Sequence, residues 1–202
     1  MRTTQNTVTI MKPLHHRNQS SPRLNRRGTP GLIKTPVFDL RRILVPIDFS
    51  NCSYKALLYA VAFAAQCKAN VLLLHVIELY PVDYLFGAKS ATEANGWLAE
   101  QAQVRLARLG EECANADQFQ VNTTVRFGRP FREITNAAKE RQVDLIITGT
   151  HGFTGLRHLQ LGSTAEKVVR YASCPVMVVR EQEQEFVAPG NRGNITVDLA
   201  CL

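Results

Sequence analysis

The chain holds no run approaching the roughly 20 apolar residues that a bilayer-spanning helix needs, and its first residues lack the compact apolar block of a secretory signal. A soluble protein of the cytoplasm is the expectation. Cysteine is sparse and unpatterned. Cys52, Cys67, Cys113, Cys174 and Cys201 are odd in number and form no CxxC pair, which argues against a disulfide framework and a zinc site alike. They read as reduced thiols. Cys52 lies close to the presumed ligand loop, where a small apolar filler is favoured over a redox sensor. The chain also lacks a GxxxxGK[ST] loop with its phosphate lysine, a GxGxxG after the first strand, and any Ser-His-Asp or paired-carboxylate spacing. No catalytic residues and no metal ligands are assigned. Phosphoryl transfer needs positioned cations and an oriented nucleophile, and the glycine-rich stretch from Gly149 to Gly162 offers only His151 and Arg157 near it, so at most weak catalysis of that kind is expected.

Acidic residues are scarce at one end. Residues 1–42 carry nine Lys or Arg against the single acid Asp39, whereas the rest carries fifteen against sixteen, so the chain's net charge of +7 comes from a basic leader on a nearly neutral domain. Nucleic-acid binding by the fold is not supported, and only nonspecific contact through the leader is left. Residues 1–40 are rich in Arg, Asn, Gln, Ser, Thr and Pro and show no apolar period to offset the entropy of ordering, so disorder is expected there. The leader is compatible with an organelle transit peptide, a nonspecific anionic-surface arm, an overextended start, or a dispensable solvated tail. A single domain over 41–181 and a tail over 182–202 complete the expected division; about 140 residues suffice for a sizeable core.

What is present alternates. Arg42 to Asp48 is a short continuous apolar segment, the mark of a parallel strand buried on both faces, and Ser50 or Asn51 caps a helix carrying Leu57, Ala60, Val61 and Ala64 on one stripe. Val71–Ile77 is a second buried strand, Glu78–Ser90 a loop, and Ala91–Ala116 a long helix. Gln120–Arg126 alternates Val with polar residues and reads as an outer strand. Gly128-Arg129-Pro130 turns it into a helix with Pro130 at its first position. Val143–Thr148 and Pro175–Val179 are the last strands, separated by a helix with Ala165, Val168, Val169 and Ala172 inward. Strand and helix in alternation imply an α/β fold, a parallel doubly wound sheet with helices on both faces.

One stretch names a chemistry. Gly149-Thr150-His151-Gly152, then nine residues, then Gly162-Ser163-Thr164, spans the end of a buried strand and the start of an amphipathic helix. Glycines let backbone N–H groups approach an anion, and a helix start adds unsatisfied N–H groups and the positive end of a dipole, so the spacing reads as a phosphate cradle. A lone GxxG usually marks only a turn; its place after a buried strand and the Ser-Thr helix start favour the cradle. Ligands in such sheets bind at the carboxyl ends of strands beside the topological switch point, where Asp48 also falls. Asp48, a short acceptor, could serve a ligand there or cap the first helix. His75, in an apolar strand, reads as a hydrogen-bonded core histidine.

These residues resemble the universal stress protein family, in its single-domain nucleotide-binding form. The resemblance runs from about Arg42 to Arg180 and rests on Ile43-Leu44-Val45-Pro46-Ile47-Asp48-Phe49-Ser50, on Leu73-Leu74-His75-Val76, and on the G-x2-G-x9-G-[ST] pattern at Gly149, Gly152, Gly162 and Ser163. It implies five parallel strands in the order 3-2-1-4-5 and ATP, AMP or ADP at the ends of the first and fourth, with magnesium held by the phosphates. By that resemblance Pro46, Ile47, Asp48 and Val76 hold the nucleoside, while Gly149, His151, Gly152, Gly162, Ser163 and Thr164 hold the phosphates. The function it implies is adenine-nucleotide binding in stress-response regulation, with slow ATP hydrolysis or phosphotransfer as the alternative. It also implies a homodimer through the last strand, Val176, Met177, Val178 and Val179, an edge with exposed ladder groups.

Overall fold

The computed structural model describes residues 10–11, 39–78, 88–114, 119–150, 161–182 and 186–187. Ten elements follow one another: β1 (Ile10–Met11), β2 (Arg42–Pro46), α1 (Asn51–Cys67), β3 (Asn70–Ile77), α2 (Ala88–Ala114), β4 (Val121–Phe127), α3 (Pro130–Glu140), β5 (Leu145–Gly149), α4 (Ser163–Tyr171) and β6 (Val176–Val179). The sheet order is β1-β6-β5-β2-β3-β4. Strands β4, β3, β2, β5 and β6 are parallel, so the five strands expected from the sequence take the expected order, 3-2-1-4-5. The sixth strand had no signal in the composition: Ile10 and Met11 lie antiparallel to Met177 and Val176.

Two apolar layers sandwich the sheet. Ile43, Val45, Val71, Leu73, Ile147, Met177 and Val179 pack with α1 and α2 on one face. Leu44, Leu74, Ile146 and Val176 pack with α3 and α4 on the other. Successive strand residues point to opposite faces, so a strand covered on both sides must be apolar at every position, which is why Ile43-Leu44-Val45 reads as an unbroken run. Strand β4 pairs only with β3 among the described strands and has no fully buried residue, in keeping with its alternating sequence.

Helix boundaries follow local chemistry. Ser50 is the N-cap of α1, its Oγ accepting the Ser53 N–H at 3.2 Å, and Lys68 ends that helix in the left-handed conformation. Helix α3 starts with Pro130, whose fixed φ suits the first turn. Helix α2 begins at Ala88, three residues before the expected start, so the end of the expected loop is helical, and residues 79–87 of that loop lie outside the described residues. The described part of the C-terminal tail lies against α1. Phe186 meets Tyr59 edge-on at 4.9 Å, Val187 packs on the α1/α2 core, and Lys55 Nζ donates to the Glu181 carbonyl at 3.0 Å.

Candidate functional site

From β2 the chain moves to β3 on one side, and after β4 it crosses back to β5 on the other side of β2. That reversal is the switch point, and the carboxyl ends of β2 and β5 flank it. The register Ile43 opposite Leu145 and Leu44 opposite Ile146 therefore brings Asp48, beyond β2, and Gly149, ending β5, to one end of the sheet. Val76 reaches the same end because β3 runs past β2 after Pro46 pairs with Leu74.

The β2 end is tied by side chains. Asp48 Oδ1 accepts the Ser50 N–H at 3.0 Å and the Ser50 hydroxyl at 2.6 Å, while Ser50 in turn caps α1. Ser50, not Asp48, is thus the cap of α1, and Asp48 orients it. Ile47 is buried, its N–H donates to the Leu74 carbonyl at 2.8 Å, and its carbonyl accepts from His75 Nδ1 at 2.7 Å. The contact fixes the tautomer, since a carbonyl can only accept. Burial is the main cause of a His75 pKa below its ordinary value; Arg105 also lowers it, against the Ile47 carbonyl and Asp48. Partly buried Pro46 supplies the last β2 residue.

Sequence reasoning passed over Phe49. Its φ of +63° lies in the left-handed region, which costs a residue with a Cβ about 1 to 2 kcal/mol. Two side chains contact the ring. The Arg105 guanidinium, from α2, sits 4.0 Å from its centroid, and the His75 ring lies 4.9 Å away at a tilt of 40°. An exposed cation–π contact contributes about 0.5 to 1 kcal/mol, a fair part of the backbone cost. No sequence signal marks this pairing, because it depends on how the helix that carries Arg105, a residue more than fifty positions downstream, is rotated.

The β5 end is tied by backbone. Thr150 is buried, its N–H donates to the Val179 carbonyl at 2.9 Å, and its carbonyl accepts the Gly162 N–H at 2.8 Å. That clasp brings the two halves of the glycine motif together; His151 and Gly152 lie outside the described residues. Gly149 has a packing duty too. A Cβ there would stand 2.7 Å from the Cys52 Cβ and 3.0 Å from the Cys52 carbonyl carbon, so its bareness lets the first turn of α1 approach β5.

Gly162 is the N-cap of α4 and makes no side-chain cap bond, so the amides of the first turn, at Ser163 and Thr164, receive no side-chain acceptor from the cap. Ser163 is exposed and Thr164 half-buried at this end. Glu166, in the same turn, is paired with Arg170 at 2.9 Å. A helix start of this kind can hold an anion. Among the described residues no group of three His, Cys, Asp or Glu is arranged to hold a metal ion. Cys52, Cys67, Cys113 and Cys174 are free, and burial pushes the thiols of Cys113 and Cys174 up to about 12 and about 11, which makes them poor nucleophiles. No described helix is long and apolar enough to cross a membrane.

Comparison with known proteins gives one consistent result. The profile of the Universal stress protein family matches residues 39–180. Universal stress protein MJ0531 of Methanocaldococcus jannaschii is 32% identical over 145 residues, covering 72% of this chain and 85% of the relative. Universal stress protein YxiE of Bacillus subtilis is 33% identical over 153 residues, covering 69% and 98%. The solved structure of MJ0577, from the same archaeon as the first relative, superposes with a TM-score of 0.66 at 31% identity and covers 73% of this chain and 100% of its own.

Proposed function

The chain belongs to the universal stress protein family, and from that premise we propose that it binds an adenine nucleotide, ATP or its ADP and AMP relatives, at the switch-point end of the sheet. The observation that carries this reading is the Thr150–Gly162 clasp, which sets an α4 start without a side-chain cap at the same end of the sheet as Asp48 and Val76. The amides and hydroxyls of Ser163 and Thr164 take the phosphates, Asp48 the ribose, and the backbone at Val76 the adenine edge. His151 and Gly152 of the glycine motif complete the phosphate contacts, and magnesium, where present, bridges phosphate oxygens. Occupancy then alters the protein's contacts with a partner, which suits regulation in the stress response of a cytoplasmic protein.

Calorimetry with ATP, ADP and AMP tests the reading, together with mass spectrometry of whatever small molecule denatured protein releases. Binding at about 100 times the dissociation constant stabilises the fold by roughly 2.7 kcal/mol, an upward thermal shift easily measured. Absence of heat, shift and co-purified nucleotide would sink the proposal.

Self-association through β6 belongs to the same reading, since a parallel sheet ending in Val176–Val179 offers an edge for strand addition. The antiparallel Ile10–Met11 pairing occupies that edge opposite Met177 and Val176, so a second copy has to displace the leader there. Light scattering of the full chain and of a chain lacking residues 1–35 checks this. The shortened chain should dimerise more tightly, and two monomers at micromolar concentration would contradict the dimer.

A further inference from the structure

Phe49 is half-buried and packs against the α1/α2 core, and it also makes two specific ring contacts. It follows Asp48 directly, at the carboxyl end of the strand that borders the switch point, and its backbone is left-handed. That residue lies inside the turn through which Asp48 Oδ1 accepts the Ser50 N–H and so orients the cap of α1. The half-buried ring also bridges two elements that do not adjoin in sequence. One is β3 through His75, anchored by its bond to the Ile47 carbonyl; the other is α2 through Arg105. The three side chains form a cluster of cation, phenyl ring and imidazole next to the proposed ribose contact.

Asp48 and Arg105 are the charged groups that act on His75, the first favouring and the second opposing its protonated form, so the neutral ring is the form that sits beside Arg105 with least repulsion. Arg105 is exposed on α2 and keeps its guanidinium over the Phe49 face, a geometry suited to holding a ring in place from the solvent side.

We infer that Arg105 and His75 are positioning residues for the nucleotide crevice: through their contacts with the Phe49 ring they fix the left-handed turn that sets where the Asp48 carboxylate stands. This rests on the nucleotide reading for its ligand, but the turn itself can be examined without one. The Ser50 N–H is bonded to Asp48 Oδ1, so its hydrogen exchange reports whether the turn is held.

Three full-length variants separate positioning from general packing. Arg105→Met keeps the bulk and removes the cation, Arg105→Lys keeps a cation, and Phe49→Gly removes the ring while making the left-handed backbone free of strain. Exchange at Ser50 should rise in Arg105→Met and Phe49→Gly and stay near wild type in Arg105→Lys. ATP affinity by calorimetry should follow, weaker by roughly fivefold in Arg105→Met and restored in Arg105→Lys, the size expected of losing one exposed cation–π contact. Phe49→Gly should bind ATP more weakly still, although its backbone is relieved. Unchanged Ser50 exchange in Arg105→Met overturns the positioning role whatever the ligand data say. A wild-type protein that binds no adenine nucleotide overturns the nucleotide reading, and the positioning role then stands or falls on the exchange result alone.

Discussion

Two helices start at the same end of this sheet, and they start differently. Helix α1 opens with Ser50 Oγ on the Ser53 N–H and Asp48 on Ser50. Helix α4 opens with Gly162, which makes no side-chain cap bond. A missing cap costs about 1 kcal/mol when the residue is Ala, less when it is Gly, so the chain tolerates an open helix start at a small cost in stability. The teaching is that openness is local. The β2 end is pre-built by side chains and suits a neutral, hydrogen-bonding part of a ligand, whereas the α4 end keeps its first-turn N–H groups clear of cap side chains and suits an anion.

The comparison breaks first at the contact that brings the two starts together. Gly149→Ala forces a Cβ against Cys52 and should lower unfolding free energy by about 1 to 3 kcal/mol, read from chemical denaturation. The comparison sharpens most by making α4 resemble α1. Gly162→Asp supplies a side-chain cap and should raise helix stability by a few tenths of a kcal/mol while weakening ATP binding at least about tenfold, because the new carboxylate takes the amides and repels phosphate. Opposite signs in calorimetry and denaturation are the signature. Ser50→Ala, at the other start, should cost about 1 kcal/mol of stability through the lost cap.

The smallest effect concerns pH. His75 binds protons less readily folded than unfolded, because burial lowers its pKa. The unfolded chain therefore gains a proton as pH falls through about 6.5, and its unfolding free energy declines until the folded-state pKa is reached. Denaturation midpoints at pH 7.5 and 5.5 should fall further apart for wild type than for His75→Asn, whose amide can still donate to the Ile47 carbonyl. Equal pH dependence in both proteins would remove His75 from the account.

Much of the fold was legible because parallel strands covered on both faces must be apolar throughout. Ile43-Leu44-Val45 and Val71–Leu74 could be read without ambiguity about which face was wet. Ser50 and Pro130 were legible for a local reason, since caps and first turns depend on adjacent residues. The strand at Ile10–Met11 was not, as two apolar residues in a polar stretch carry no period. Within the site, the sequence located the motif's ends but assigned Gly149 to the anion alone; its closeness to Cys52 arises from packing across the sheet. The Arg105–Phe49–His75 cluster joins three distant segments and leaves no mark in any one of them.

The most direct test of the central claim is an ATP titration of the full chain followed by backbone amide NMR. Saturable shifts should appear together at the Ser163 and Thr164 amides and at Asp48 and Val76, the two starts responding to one ligand with one dissociation constant. Shifts confined to the basic leader, or none at either helix start, would contradict it.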